Sequence, residues 1–294
     1  MTRVLVTGAG GFLGSYVARH FADQGAELIA IGHGAAIDAD IDRETLSAVI
    51  GERGVPDIVV HAAGAGTVRA VADNPERERG RTVGSTAAVV DVLRATAPEA
   101  ILIYPSSVAV YGDTGPEPAN ETRAPAPLSR YAEHKLEAEA MVAGHRRSAI
   151  IRFGSLYGPG LRKQLIWDLC RKLAAAPDAI ELAGTGEESR DFVGGSDAAA
   201  LVAIAAADAA HGHPSIVNGA TGEPRTVADV AERVAAAWGG GVRIRFSGRV
   251  NAFDPRNLRA DATKARALGF RPTGFEQGIV AYVAWAKLAL ARLS

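Results

Sequence analysis

Cysteine is nearly absent from this chain of 294 residues: Cys170 stands alone. A single thiol excludes an internal disulfide framework and any zinc site built on cysteines, and it agrees with a reducing compartment. The seven histidines lack the HExxH spacing of a helical zinc site. Charge of one sign is also lacking. Lysine and arginine (32) against aspartate and glutamate (33) leave a net charge of −1, so no basic field awaits nucleic acid and no polybasic stripe awaits an anionic membrane. Long apolar runs are missing as well. The longest, Ala198 to Ala207, is alanine-rich and bounded by Asp197 and Asp208, well short of the roughly 20 residues that span a bilayer. Glycines interrupt the apolar start after Val6, so no signal-peptide core develops. A cytoplasmic protein is the expectation, with neither nucleic acid nor membrane as partner.

What is present begins at once. Val4-Leu5-Val6-Thr7 reads as a buried strand, and glycines follow at Gly8, Gly11 and Gly14, with Gly10 as a fourth. Gly8 permits a tight turn off the strand, Gly11 lets backbone approach a pyrophosphate, and Gly14 lets the next helix pack closely on the sheet. That helix, read from Ser15, would aim its N-terminal N–H groups at phosphate. The spacing is GxxGxxG rather than GxGxxG.

Short apolar strands then alternate with amphipathic helical segments, the pattern of βαβ units around a parallel sheet. Strands are predicted at Val4–Thr7, Leu28–Ile31, Ile58–His61, Ile101–Pro105 and Ala149–Phe153. Helices are predicted at Ser15–Gln24, Arg43–Arg53, Val83–Thr96, Ser129–Gly144, Leu161–Ala175, Asp197–Ala210, Val227–Trp238, Thr263–Leu268 and Phe275–Ala291. The predicted fold class is therefore α/β, a Rossmann-type doubly wound parallel sheet with a smaller C-terminal substrate-binding lobe. Residues 1–155 would form the dinucleotide-binding domain, with segments returning from later in the chain, and residues 156–294 mainly the substrate lobe. No repeat or low-complexity linker separates the parts, so ligand should lie between closely packed lobes.

Two further clusters carry chemistry. Tyr131 and Lys135 lie four residues apart, on one face of a predicted helix. A cation near a phenol favours the ionised form, so Lys135 is expected to lower the Tyr131 pKa and let it exchange a proton with a hydroxyl. Pro105-Ser106-Ser107-Val108 reads as a loop leaving a buried strand, and Ser107 is the chosen hydroxyl to orient a reacting oxygen. By themselves the two serines also read as turn residues, and Tyr131 with Lys135 as a surface pair.

These motifs together resemble the extended short-chain dehydrogenase/reductases of the NAD-dependent epimerase/dehydratase type that act on nucleotide sugars. The resemblance runs nearly the whole length. Its strand-end element matches His61-Ala62-Ala63, its hydroxyl residue before VYG matches Ser107, and its YxxxK matches Tyr131 and Lys135. Arg152-Phe153-Gly154-Ser155-Leu156-Tyr157-Gly158-Pro159-Gly160 resembles its RxFNxYGPG segment, and Arg190-Asp191-Phe192-Val193 with Asp197 its RDFVxxxD element. The resemblance implies Ser107, Tyr131 and Lys135 as catalytic residues. It implies Gly8, Gly11, Phe12, Leu13, Gly14, His33, Asp40, Ile41, Ala62, Ala63, Tyr131 and Lys135 around the dinucleotide. Ser107, Val108, Ser155, Arg190 and Arg256 would meet the substrate, Arg190 on its diphosphate. No metal is implied. A homodimer through Val83–Thr96 and Ser129–Gly144 is implied too.

Departures narrow the reading. Where the family often has a carboxylate after its second strand, Ile31 is followed by Gly32-His33-Gly34. The missing charge and a donor at His33 tilt the cofactor toward NADP(H), with NAD left open. Arg81 and Ser155 replace two family asparagines. Val108 and Ala109 replace the acid pair of a dehydratase, which leaves a 4-keto-sugar reductase or a sugar epimerase. A catalytically silent dinucleotide-sensing protein on the same fold is the alternative.

Overall fold

The computed structural model describes residues 1–64, 66–176, 178–249 and 255–292. Its centre is a six-stranded sheet. In chain order the strands are β1 (Arg3–Thr7), β2 (Glu27–Ile31), β3 (Ile58–His61), β4 (Ile101–Ser107), β5 (Ser148–Phe153) and β6 (Ser215–Gly219). They lie in the order β6-β5-β4-β3-β1-β2, every neighbouring pair parallel. From β1 the chain winds first to one side and then, from β3, to the other. The reversal leaves a crevice at the carboxyl ends of β1 and β3, where Thr7 pairs with His61.

A parallel sheet covered on both faces needs strands that are apolar on both sides, and these are. Val4 and Val6 face one way, into a cluster with Val17, Phe21, Ile103, Ile151, Leu201 and Val202. Leu5 faces the other way, into a cluster with Ile29, Leu46, Leu93, Leu102, Tyr104 and Val142. Helices Phe12–Asp23 and Gly195–Ala209 form the first layer, and helices Arg43–Arg53, Ser85–Thr96 and Arg130–Ala143 the second. A third cluster holds Trp167, Leu169, Leu173, Val230, Val234, Phe275 and Ile279. It is built by helices Gln164–Ala175, Val227–Trp238 and Phe275–Ala291, beside a short parallel pair, Ala179–Leu182 with Arg243–Phe246.

The predicted architecture is present, with informative local differences. Ser215–Gly219, not among the predicted strands, completes the sheet at its edge beside β5. Strand β4 runs on through Ser106 and Ser107, in register with Arg152 and Phe153 of β5, so these serines end a strand rather than open a loop. The helix predicted from Val83 begins at Ser85, after a π-type turn, Gly80–Gly84. Two short helices precede it, Val68–Asp73 capped by Thr67 and Pro75–Arg79 capped by Asn74. Their side-chain caps accept the backbone N–H groups that a helix start leaves unpaired. The first helix starts at Phe12, three residues before the predicted Ser15, because Gly11 already closes the turn onto the Gly8 carbonyl at 2.9 Å.

Gly14 fixes how closely that helix approaches β1. A Cβ there would lie 2.1 Å from the Gly8 carbonyl oxygen and 2.7 Å from its carbon. Both are backbone atoms of the same turn, with little freedom to retreat. Gly14→Ala is therefore expected to cost about 1–3 kcal/mol by overpacking, read as a lower urea midpoint at unchanged slope.

Candidate active site

The glycine turn sits at the mouth of the crevice. Gly8 takes φ +68°, and a Cβ there would meet the Ala63 nitrogen at 2.6 Å and the Ala62 carbonyl carbon at 2.8 Å. Ala62 and Ala63, just after β3, thus back onto the turn. Gly10 has a role that spacing alone did not reveal: a Cβ on it would fall 2.0 Å from the His33 carbonyl oxygen. No side chain caps the first turn at Phe12, Leu13 and Gly14, since Gly11 supplies none. This is a cradle of backbone donors that side chains would fill, and a dinucleotide pyrophosphate fits its chemistry.

Beyond β2 the structure corrects the reading of His33. The chain folds back through a bridge between Ile31 and Ile37, and His33 meets two carboxylates: Asp38 at 3.2 Å through Nδ1 and Asp40 at 3.1 Å through Nε2. All three side chains are exposed. Acidic groups do stand at this strand end, supplied from five and seven residues downstream. Their charge opposes a 2′-phosphate, and the tilt toward NADP(H) loses its basis. Ile41 packs its side chain against the second core cluster.

At the carboxyl end of β4, helix Arg130–Ala143 lies along the strand tip. Ser129 caps its start, accepting from the Ala132 N–H at 3.3 Å. The helix presents Tyr131, Lys135 and Glu139 at successive turns. Burial raises the Tyr131 pKa, and a hydrogen bond with the Ser107 side chain offsets part of the rise. Ser107 also accepts the Ala109 N–H at 3.2 Å. Lys135 does not play its predicted part toward the phenol. Its Nζ donates to the Pro105 carbonyl at 2.9 Å and lies 4.8 Å from the centre of the Tyr104 ring. Burial lowers its pKa to about 8, with the Glu139 charge acting in the opposite sense. The phenol and ammonium share a helix face, but the cation is turned to the strand.

Beneath them is a polar cluster that sequence reasoning missed. Glu139 accepts from Ser106 Oγ at 2.5 Å and from Arg152 Nη2 at 2.7 Å, with Arg152 Nε at 3.1 Å from one carboxylate oxygen and 3.2 Å from the other. The Arg152 guanidinium lies 4.7 Å from the Tyr111 ring centre. Tyr111 donates to Asn218 Oδ1 at 2.8 Å, and Asn218 Nδ2 donates to the Ala119 carbonyl at 2.9 Å. Asn218 thus links the Tyr111 hydroxyl to the Ala119 backbone. Glu139 was findable, because it repeats the four-residue spacing of Tyr131 and Lys135 once more.

The remaining candidates divide. Val108 is buried among Val110, Tyr111 and Ala220 in the turn after β4. Ser155 lies on a short strand, its N–H donating to the Asp191 carbonyl at 2.7 Å. Arg190 and Arg256 come together: Arg190 Nη1 donates to the Ser189 carbonyl at 2.8 Å and the Arg256 carbonyl at 3.2 Å. The Arg256 side chain turns outward to Glu187. Among the described residues no group of three metal-ligating side chains assembles, and no helix is long and apolar enough to cross a membrane.

The pattern of the NAD dependent epimerase/dehydratase family matches residues 4–220. The chain belongs to that family. It is an NAD-dependent enzyme of the extended short-chain dehydrogenase/reductase type, and the resemblance drawn from its motifs is correct. A UDP-glucose 4-epimerase of Streptomyces lividans is 26% identical over 95% of this chain and 94% of its own. A dTDP-4-dehydrorhamnose reductase of Mycobacterium tuberculosis is 29% identical over 83% of this chain and 68% of its own. Among solved structures, MoeE5 in complex with UDP-glucose and NAD superposes with TM-score 0.87 and 26% identity, covering 98% of this chain and 99% of its own.

His61 ties the crevice together. Its Nδ1 meets Thr7 Oγ1 at 2.7 Å and its Nε2 meets Thr86 Oγ1 at 3.1 Å. Burial, with the charge of Lys135 adding to it, lowers its pKa to about 3. The folded state therefore favours neutral His61, a contribution fully present above the ordinary pKa near 6.5 and lost as pH falls toward 3. The slope approaches roughly 1.4 kcal/mol per pH unit between those limits. Thermal melts from pH 7 to pH 4 are expected to fall more steeply for the wild type than for His61→Asn.

Proposed function

We propose that this enzyme epimerises the hexose of a nucleoside-diphosphate sugar through a transient keto intermediate, using Ser107, Tyr131 and Lys135. The observation that carries the reading is their convergence on one strand tip, next to the crevice and the glycine cradle. Full-length similarity to a UDP-glucose 4-epimerase favours epimerisation over a one-way reduction. Val108 and Ala109, in place of an acid pair, disfavour elimination of water.

In this reading Gly8, Gly11, Phe12, Leu13 and Gly14 hold the pyrophosphate, with Ala62 and Ala63 behind them. Asp40 and Ile41 flank the adenosine, and the exposed carboxylates select NAD. Bound NAD supplies a reversible hydride acceptor. Tyr131 takes the proton of the reacting hydroxyl and returns it, and Ser107 orients the oxygen through its own hydroxyl. The raised Tyr131 pKa belongs to the protein without cofactor, where the ring meets Ser107 but gains nothing from Lys135. Lys135, released from Pro105, would bind the nicotinamide ribose and favour the phenolate. Arg190 holds the diphosphate as a guanidinium fork. Ser155, Val108 and Arg256 border the sugar nucleotide, within a C-terminal lobe formed mainly by residues 156–294. Remote binding through the diphosphate fixes the sugar for reaction. The enzyme acts as a homodimer joined through the helices Ser85–Thr96 and Arg130–Ala143.

A panel of UDP- and dTDP-hexoses with NAD tests this. Interconversion of sugar epimers without net change in reduced-cofactor absorbance is the expected result. Stoichiometric cofactor consumption with a 4-keto sugar would instead mark a reductase, and tight dinucleotide binding without turnover a sensor. Tyr131→Phe is expected to lower kcat by about 10²–10⁴-fold while dinucleotide affinity holds. Because Lys135 titrates at about 8 in the free protein, kcat/KM is expected to fall as pH rises through 8 and the ammonium is lost. A flat profile up to pH 10 would remove Lys135 from that role.

A further inference from the structure

Three successive residues of the β4 tip are held by three successive turns of one helix. The Pro105 carbonyl accepts from Lys135 at 2.9 Å, Ser106 Oγ donates to Glu139 at 2.5 Å, and the Ser107 side chain lies beside the Tyr131 phenol, holding down its pKa. Only the middle contact lies wholly outside the reacting group. It is also the one anchored from elsewhere, since Glu139 is gripped by Arg152 of β5 through Nε and Nη2. The Glu139 and Arg152 side chains are each 4% exposed. Such a pair resists displacement, because freeing either partner leaves a bare charge in the interior.

From this geometry we propose that Glu139 is a positioning residue of the active site: by holding Ser106, it fixes the Pro105 carbonyl under Lys135 and the Ser107 hydroxyl beside Tyr131. A strand tip held only by its outer contacts could shift when Lys135 leaves Pro105 to meet the cofactor. The Ser106 contact survives that exchange. Ser107 then stays in place while the Pro105 carbonyl is released.

The same carboxylate bears on the charge of Lys135. The groups facing Lys135 are Tyr131 and Glu139 on its own helix, the Tyr104 ring and Pro105 carbonyl on β4, and His61 on β3; Arg152 of β5 approaches through Glu139. His61 stays neutral above its pKa of about 3, so Glu139 is the carboxylate that favours the ammonium. Loss of Glu139 moves the alkaline limb of the rate profile to lower pH.

The inference rests on the proposed roles of Ser107, Tyr131 and Lys135, so Tyr131→Phe is measured beside the test variants. Ser106→Ala removes one hydroxyl and leaves the ion pair. The double change Glu139→Gln with Arg152→Met removes both charges, so neither is left unpaired. With a UDP-hexose and NAD, the double variant is expected to lose about 10–100-fold in kcat, since misplacement by about 1 Å costs on that order. KM and dinucleotide affinity should change less than about twofold, and the alkaline limb should move down. Ser106→Ala should lose about fivefold in kcat with the limb unmoved. Wild-type kcat and pH profile in folded variants, with only melting temperature reduced, would overturn the proposal. Should the double variant not fold, Ser106→Ala decides by itself, and an unchanged kcat there overturns it. Retained turnover in Tyr131→Phe would instead sink the assignment of the reacting group, and the positioning role with it.

Discussion

A buried ion pair, Glu139 with Arg152, joins the helix that carries the candidate chemistry to strand β5 of the sheet. Removing two charges from water is costly unless their geometry is good and their other lone pairs are met. Here the carboxylate receives Nε, Nη2 and the Ser106 hydroxyl, and the guanidinium lies over Tyr111. The pair contributes less to net stability than to arrangement. Breaking it by losing one partner would cost about 3–5 kcal/mol, so the helix has little freedom to slide or rotate against β4 and β5. Lys135 and Tyr131, one and two turns earlier, inherit that fixed position.

The glycine turn imposes the second constraint. Gly14 sets the approach of the first helix to β1, Gly8 admits the backbone of Ala62 and Ala63, and Gly10 admits the backbone of His33. Three chain segments from β1, β2 and β3 therefore meet with almost no side chain between them. That contact closes the crevice at the point where the winding of the sheet reverses. Helix Arg130–Ala143 borders it from the β4 side, so both constraints serve one cleft.

Much of this was legible in the residues. The run Val4-Leu5-Val6 with its glycines announced the first βα unit, and the alternation of apolar strands with helical segments announced a parallel sheet. YxxxK and the Ser107 segment put the candidate residues on a helix and at the tip of β4, which the structure brings side by side. What escaped was long-range. Nothing local marks Ser215–Gly219 as a sheet edge, because its pairing with β5 is decided some 65 residues away in sequence. Nothing in the order of the residues pairs Glu139 with Arg152, which the helix and strand bring within 2.7 Å. Asp38 and Asp40 follow His33 by five and seven residues, and only the backfolding through Ile37 carries them to its ring.

The sequence by itself determined the fold class, the glycine turn after β1 and which side chains stand as candidates for the chemistry, because each depends on short-range spacing: period two in strands, four residues in helices, three between glycines. Only the tertiary structure decided the direction of the Lys135 ammonium, the carboxylates around His33 and the support beneath the site. Each of those depends on which distant groups share a buried volume, and electrostatic interactions there are set by desolvation and distance rather than by order along the chain.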